Sequence, residues 1–272
     1  MNYDDRHRAF LQAIMQMGIV LDHDAQLLCA TIFKGQVDVS MIANLINIKL
    51  TPINLLMKCG MCELSGEKYW SVVGTTHEEN LSIPSKFSVA QRALLRDIYS
   101  EIISSEDGSI SSTDGLNLTR TIGVKLSMGE ADAFLKDLYK GKWLCIKNGY
   151  IYMGVRSILE LMPYFRATYE NNFHNCQLCK EIIFYAKRCK HCDKAFHNYC
   201  LVKYMSQKKE SVCPDCKNHM DISIVQDNAS NSESIEEPVD DVQEDEPMEI
   251  TDEDSVIEDS PPVRKTKKTR AK

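Results

Sequence analysis

Eight metal-type ligands fall in the run 176–216: Cys176, Cys179, Cys189, Cys192, His197, Cys200, Cys213 and Cys216. Their spacing is C-x2-C-x9-C-x2-C-x4-H-x2-C-x12-C-x2-C, which is four pairs. Structural zinc takes four thiolate or imidazole ligands in a tetrahedron, so four pairs supply two sites with none left over. A segment this short has too little apolar surface to hold itself folded. Each structural zinc contributes on the order of ten kcal/mol of folding energy. Two zinc ions are therefore the expected cofactors, and they constrain the fold more than any other feature of the chain.

That reading needs free thiols. Met1 is followed by a polar stretch, Asn2 to Arg8, with no apolar signal segment. No run of about 18 apolar residues offers a membrane span. The expectation is a soluble intracellular protein in a reducing compartment, where eleven cysteines serve as ligands and not as bridges. The net charge of −7 belongs to the tail. Residues 227–259 hold fifteen Asp/Glu and no Lys/Arg, and 263–272 hold six Lys/Arg and no acid. The rest carries 24 acids and 26 bases, so bulk charge names no nucleic-acid partner.

Four blocks follow: 1–78, 84–170, 174–224 and 225–272. The first reads as three helices and a hairpin. Leu11, Ile14, Met15 and Gly18 form one stripe, and Ala25, Leu28, Cys29 and Ile32 a second that ends at Gly35. Met41, Ile42, Leu45, Ile46 and Ile48 continue the pattern. Thr51-Pro52 predicts a cap that opens a helix to about Lys58. Ser65-Gly66 marks a hairpin between Met61–Leu64 and Lys68–Val73. The second block repeats the order. Ser88 with Gln91 and Ser127 with Glu130 are capping boxes. Asn148-Gly149 is the strongest hairpin signal in the chain. A last helix starts at Val155, and Pro163 is expected to kink or end it.

Helices followed by a two-stranded wing, twice, predict an α+β protein of tandem winged-helix domains. A small cross-braced two-zinc domain and a disordered acidic and basic tail follow them. The helix before the first wing carries only Lys49 and Lys58, which favours protein docking over DNA. In the second block Lys125, Lys136, Lys140, Lys142 and Lys147 form a basic patch diluted by Glu130, Asp132 and Asp137, so a weak DNA contact stays open.

Two zinc folds share the ligand order. In a cross-braced RING, pairs one and three (Cys176, Cys179, His197, Cys200) hold one ion, and pairs two and four (Cys189, Cys192, Cys213, Cys216) hold the other. A PHD finger, which reads histone tails, also fits. It usually has tryptophan two residues before the seventh ligand. That position is Ser211, and the module has no tryptophan. A methyl-lysine cage would need Phe184, Tyr185, Phe196, Tyr199 or Tyr204, which are expected to form mostly the small core. RING ligases meet a conjugating enzyme through an apolar residue between the first two ligands, a proline after the seventh and a basic residue after the eighth. Here those positions hold Leu178, Pro214 and Lys217, and RING is favoured. His174, His191 and His219 are surplus to eight ligands and are expected on the surface. Cys59-Gly60-Met61-Cys62 lacks a second pair, so its thiols, like Cys29 and Cys145, are expected to be ordinary.

The chain resembles the non-SMC element one subunit of the SMC five–six chromosome-maintenance complex over about residues 5–220. Arg8–Gln12, Phe134–Gly141 and the run Cys176-Gln177-Leu178-Cys179 through Cys213-Pro214-Asp215-Cys216 carry the resemblance. It implies a ubiquitin ligase that works beside a MAGE-type and a kleisin subunit, in DNA repair, on chromosomes in the nucleus. Lys217 stands where many active RINGs carry arginine, and lysine lacks the planar fork, so activity that depends on a partner is expected. A non-catalytic docking subunit and a histone reader are the competing functions. The tail end Arg264–Arg270 after Pro261-Pro262 suits a nuclear-import signal, and phosphorylation at Ser260 would add negative charge beside it.

Overall fold

Local signals fix most element ends. Asp4 caps the first helix, α1 (Asp5–Met17), and its carboxylate meets His7 at 2.8 Å. β1 (Ile19–Leu21), α2 (Asp22–Phe33), α3 (Val39–Leu50), β2 (Leu55–Met61) and β3 (Lys68–Gly74) complete the first half. The structure is a computed structural model that describes residues 2–75, 83–84, 86–169 and 173–220. The expected tail, 225–272, lies outside the described residues.

Two expectations for this half are corrected. The buried face of α1 is His7, Phe10 and Ile14, while Met15 is 52 % exposed. The stripe lies one residue off because a buried, carboxylate-bonded histidine reads as polar in sequence. No helix runs from Thr51 to Lys58. A single tight turn, Thr51–Ile53, ends at Asn54 in the left-handed region (φ 56°). The Asn47 side chain then clamps both backbone groups of Met57, at 2.7 and 2.9 Å, which holds the chain as strand β2. Lys58 is thus a strand residue.

β1, β3 and β2 form an antiparallel sheet in that order, with Val20 opposite Trp70 and Cys59 opposite Trp70 on its other edge. Phe10, Ile14, Cys29, Ile42, Ile46 and Met57 pack beneath it. The Trp70 indole N–H donates to Asp22 at 2.6 Å, which secures the start of α2.

The second half repeats the plan: α4 (Val89–Ser104), β4 (Ser109–Ser111), α5 (Ser112–Asn117), α6 (Met128–Lys140), β5 (Leu144–Lys147), β6 (Tyr150–Met153) and α7 (Val155–Thr168). Both capping boxes form, with Ser88 N–H to Gln91 at 2.9 Å and Ser127 N–H to Glu130 at 2.9 Å. Asn148 and Gly149 both have positive φ, as a two-residue hairpin turn between twisted strands demands. The sheet order is β4-β6-β5, the same as in the first half. β1 and β4 have three residues each, too short for an alternating pattern to show in sequence. α7 continues through Pro163 to Thr168. Proline removes one hydrogen bond there, and Leu159, Leu161 and Phe165, all buried, hold the helix on both sides.

The halves share a core in which Cys62, Tyr69 and Val73 of the first pack on Val155 and Leu159 of α7. Arg156 ties them further. Its guanidinium lies 4.6 Å from the Trp143 ring and 2.7 Å from Glu160, which sits beside the buried Ser71 of β3. Cys62 and Cys145 meet across the halves with sulfurs 3.9 Å apart.

The ligand-rich segment is welded to this body. Phe184, expected in a small core of its own, enters the second half's core against Phe165 and Phe173, with ring centroids 5.5 and 5.6 Å apart. Gly108, in the turn before β4, has φ 63°, and a Cβ there would lie 1.9 Å from the Phe184 carbonyl oxygen. Only glycine allows this approach.

Candidate metal centre

Three of the four ligand pairs adopt one local frame. β7 (His174–Asn175) and β8 (Ile182–Ile183) flank the pair Cys176 and Cys179. β9 (Lys187–Arg188) and β10 (Ala195–Phe196) flank Cys189 and Cys192. A bridge between Val212 and His219 flanks Cys213 and Cys216. In each, the first cysteine N–H donates to the carbonyl five residues on, at 2.8, 3.0 and 2.8 Å. Its carbonyl accepts from the N–H four residues on, Lys180, Asp193 or Lys217, and each of these has positive φ. The fourth pair is helical: His197 immediately precedes α8 (Asn198–Lys208), whose first turn presents Cys200.

These frames bring the ligands together in two groups. Cys176, Cys179, His197 and Cys200 place one ligand atom each within 4.8 Å of one another, and so do Cys189, Cys192, Cys213 and Cys216. The groups interleave along the chain, pairs one and three against pairs two and four. Around them Phe196, Leu201, Ile183 and Met205 form a small apolar core. His174, His191 and His219 are exposed, outside both groups.

The donor chemistry fits zinc. Burial works against the Cys176 thiolate, but the N–H groups of Cys179, His197 and Leu178 aim at its sulfur and bring it down to about 7. Cys189 is brought down to about 7 against burial by the N–H groups of His191 and Cys192. Cys200 is pushed up by burial and by the charges of Cys176 and Cys179. The Lys194 N–H favours the Cys192 thiolate, yet burial and the neighbouring sulfurs push it up to about 12. The Cys176 thiolate opposes ionisation of Cys179 and Cys200, and the sulfurs around Cys189 oppose that of Cys192, a conflict that a divalent cation removes.

His197 carries an independent sign. Its Nε2 faces Glu63 Oε1 at 3.2 Å and the Ile182 carbonyl at 3.1 Å. The carbonyl only accepts, as does an ionised carboxylate, so in the neutral ring the proton sits on Nε2 and Nδ1 keeps its lone pair for a metal. Nδ1 lies 3.3 Å from the Cys179 sulfur and 3.9 Å from that of Cys200. Burial opposes charge on this imidazole, and the Glu63 carboxylate outweighs it and raises its pKa. Sequence reading missed Glu63. It is a lone acid in the run Met61-Cys62-Glu63-Leu64, and nothing in that run marks it as a partner for a distant histidine.

The residues expected to meet a conjugating enzyme lie on two frames. Leu178, partly buried, is on the first and packs on the module core. Pro214, partly exposed, and Lys217, exposed, are on the third. Lys217 Nζ turns back to the Pro214 carbonyl at 2.7 Å and the Tyr204 hydroxyl at 3.2 Å. Of the lysines of the second half, Lys136 pairs with Asp132 at 3.2 Å, and Lys142 lies over the Tyr69 ring. Among the described residues, no helix is long and apolar enough to cross a membrane.

A family model described as the Nse1 non-SMC component of SMC5-6 complex matches residues 7–161. The chain belongs to this family. A model described as a RING-like domain matches residues 176–216, from the first ligand to the last. The non-structural maintenance of chromosomes element 1 homologs of Bos taurus and Homo sapiens are each 29% identical over 222 residues, 79% of this chain and 84% of theirs. That of Drosophila melanogaster is 34% identical over 84 residues, 28% of this chain and 34% of its own. A chain solved in an Nse1-Nse3-Nse4 complex matches with a TM-score of 0.67 and 26% identity, over 80% of this chain and 97% of that one. This is an Nse1-type subunit of the SMC5-6 complex that carries a RING-like domain.

Proposed function

We propose that the chain is a RING-type ubiquitin ligase subunit, made of winged-helix domains at 1–78 and 84–170 and a two-zinc module at 174–224. The observation that carries this reading is the interleaving of the two ligand groups with Leu178, Pro214 and Lys217 on the first and third frames. Cys176, Cys179, His197 and Cys200 would hold one zinc, and Cys189, Cys192, Cys213 and Cys216 the other. Zinc supplies rigidity here, not reactivity. No side chain of the module attacks a substrate. Leu178 and Pro214 offer the apolar contacts for a ubiquitin-charged conjugating enzyme, and the rate gain comes from positioning its thioester against a substrate lysine.

The engagement of two of the three Lys217 donors by Pro214 and Tyr204 supports activity that a partner stimulates. The partners follow from the family: a MAGE-type subunit and a kleisin, in keeping with the relative solved in an Nse1-Nse3-Nse4 complex. DNA repair and a nuclear, chromosome-associated location follow from the same membership, with DNA contact by this subunit weak at most. The test is ubiquitin discharge from a panel of charged conjugating enzymes to free lysine, with and without the MAGE-type partner. Acceleration that Leu178→Ala abolishes supports a ligase. No acceleration from the zinc-loaded, partner-bound chain leaves the second reading, a docking element. A histone reader has less support, since Phe184 and Phe196 are buried and Tyr199 stacks on His197 with ring centroids 4.7 Å apart.

A further inference from the structure

The first ligand group has a contact from outside its own segment. Glu63, in the turn between β2 and β3, is 4 % exposed. Three donors converge on its carboxylate: the Phe184 N–H at 3.1 Å, the Tyr185 N–H at 2.6 Å and His197 Nε2 at 3.2 Å. A buried carboxylate costs several kcal/mol unless donors of this kind receive it, so these contacts are what makes its position tolerable. The turn that aims it has the frame of the cysteine knuckles. The Cys62 N–H donates to the Glu67 carbonyl at 2.8 Å, and the Gly66 N–H donates to the Cys62 carbonyl at 2.8 Å. The second group differs. Among the described residues its polar contacts come from the module itself, such as the Asn218 amide on the Cys216 sulfur at 3.5 Å.

We propose that Glu63 is the positioning residue of the first zinc site, so that Cys176, Cys179, His197 and Cys200 hold the ion at full affinity only while the first half of the chain is docked on the module. This rests on the reading that the group holds zinc. Groups that orient a ligating histidine through its second nitrogen typically change metal affinity about 10–100-fold when removed. The coupling runs both ways, because metal that fixes His197 also fixes the acceptor site that Glu63 occupies.

The experiment is zinc release from the full-length, zinc-loaded chain to a chromogenic chelator. Wild type should release two ions per chain. In Glu63→Ala one ion should leave about 10–100-fold faster and the other at its wild-type rate. Glu63→Gln, which keeps one acceptor oxygen, should lie between. Asp132→Ala, an exposed acid on α6, should change neither rate. Wild-type rates for both ions in Glu63→Ala, or equal acceleration of both, would overturn the proposal. Fewer than two ions in wild type would remove the zinc reading and this proposal with it. Should Glu63→Ala fail to fold, hydrogen exchange of the wild-type chain decides. Stripping the metal should expose the amides of residues 62–67 together with those of 182–185, and unchanged protection of the turn would overturn the coupling.

Discussion

Gly108→Ala isolates the contact between the second half and the module. Two costs combine at this position. A residue with a Cβ in the left-handed region costs about 1–2 kcal/mol. The new Cβ would also stand 1.9 Å from the Phe184 carbonyl oxygen and 2.8 Å from its carbon. Ordinary contact needs about 3.5 Å, so the chains must part by roughly 1.5 Å. A shift of that size carries Phe184 away from Phe165 and Phe173. It also stretches the bonds from Phe184 and Tyr185 to Glu63 past hydrogen-bonding range. Removing a buried phenylalanine outright costs about 3–5 kcal/mol, so a partial withdrawal costs on the order of 2–3. The total is about 3–5 kcal/mol, or roughly 6–20 °C in Tm for a chain of this size. Gly123→Ala is the matched control, since Gly123 has φ 67° and nothing within 4 Å of a Cβ. It should bear the backbone cost alone. Thermal unfolding of both zinc-loaded variants checks the arithmetic. If Gly108→Ala melts within about 2 °C of Gly123→Ala, the close approach carries no energy and the reasoning fails.

Cys189→Ser should cost the second zinc and unfold the module while helices α1–α6 keep their hydrogen-exchange protection; two zincs retained in that mutant would contradict the interleaved assignment. Arg156→Ala should destabilise by about 1–3 kcal/mol, because it strands the partly buried Glu160, and adding Glu160→Gln should recover much of the loss in a denaturant titration. Burial raises Glu160 above the usual carboxylate range despite Arg156. A raised folded-state pKa means that protonation favours the folded form. The Arg156→Ala deficit should therefore shrink as pH falls through the carboxylate range, and a deficit that grows would refute this sign. Lys217→Arg should speed ubiquitin discharge without partner, and an unchanged rate would show that the residue after the eighth ligand is not limiting.

The features legible in the sequence were those that local chemistry decides. The paired cysteines that begin at 176, 189 and 213 announce their frames because each closes through backbone hydrogen bonds four and five residues on. Asn148-Gly149, Ser88 with Gln91, and Ser127 with Glu130 act over two to four residues and were readable for the same reason. What escaped depends on partners far away in sequence. The face of α1 is set by His7, a polar residue buried through Asp4. The strand from Leu55 is held by Asn47, whose side chain has no reason to prefer Met57 until the sheet exists. Phe184 looked like part of a self-contained zinc module and belongs to the neighbouring core. Glu63 is the extreme case, because its donors lie in a segment that begins long after it.

The close seating of Gly108 on Phe184 means that the RING-like domain is not carried on a flexible arm. An enzyme bound at Leu178 would inherit the orientation of the helical body, as a tool inherits that of a rigid handle. Reach would then be set by where the body is mounted, and the choice of lysine would be a matter of angle and distance from that mount, not of sequence around the target.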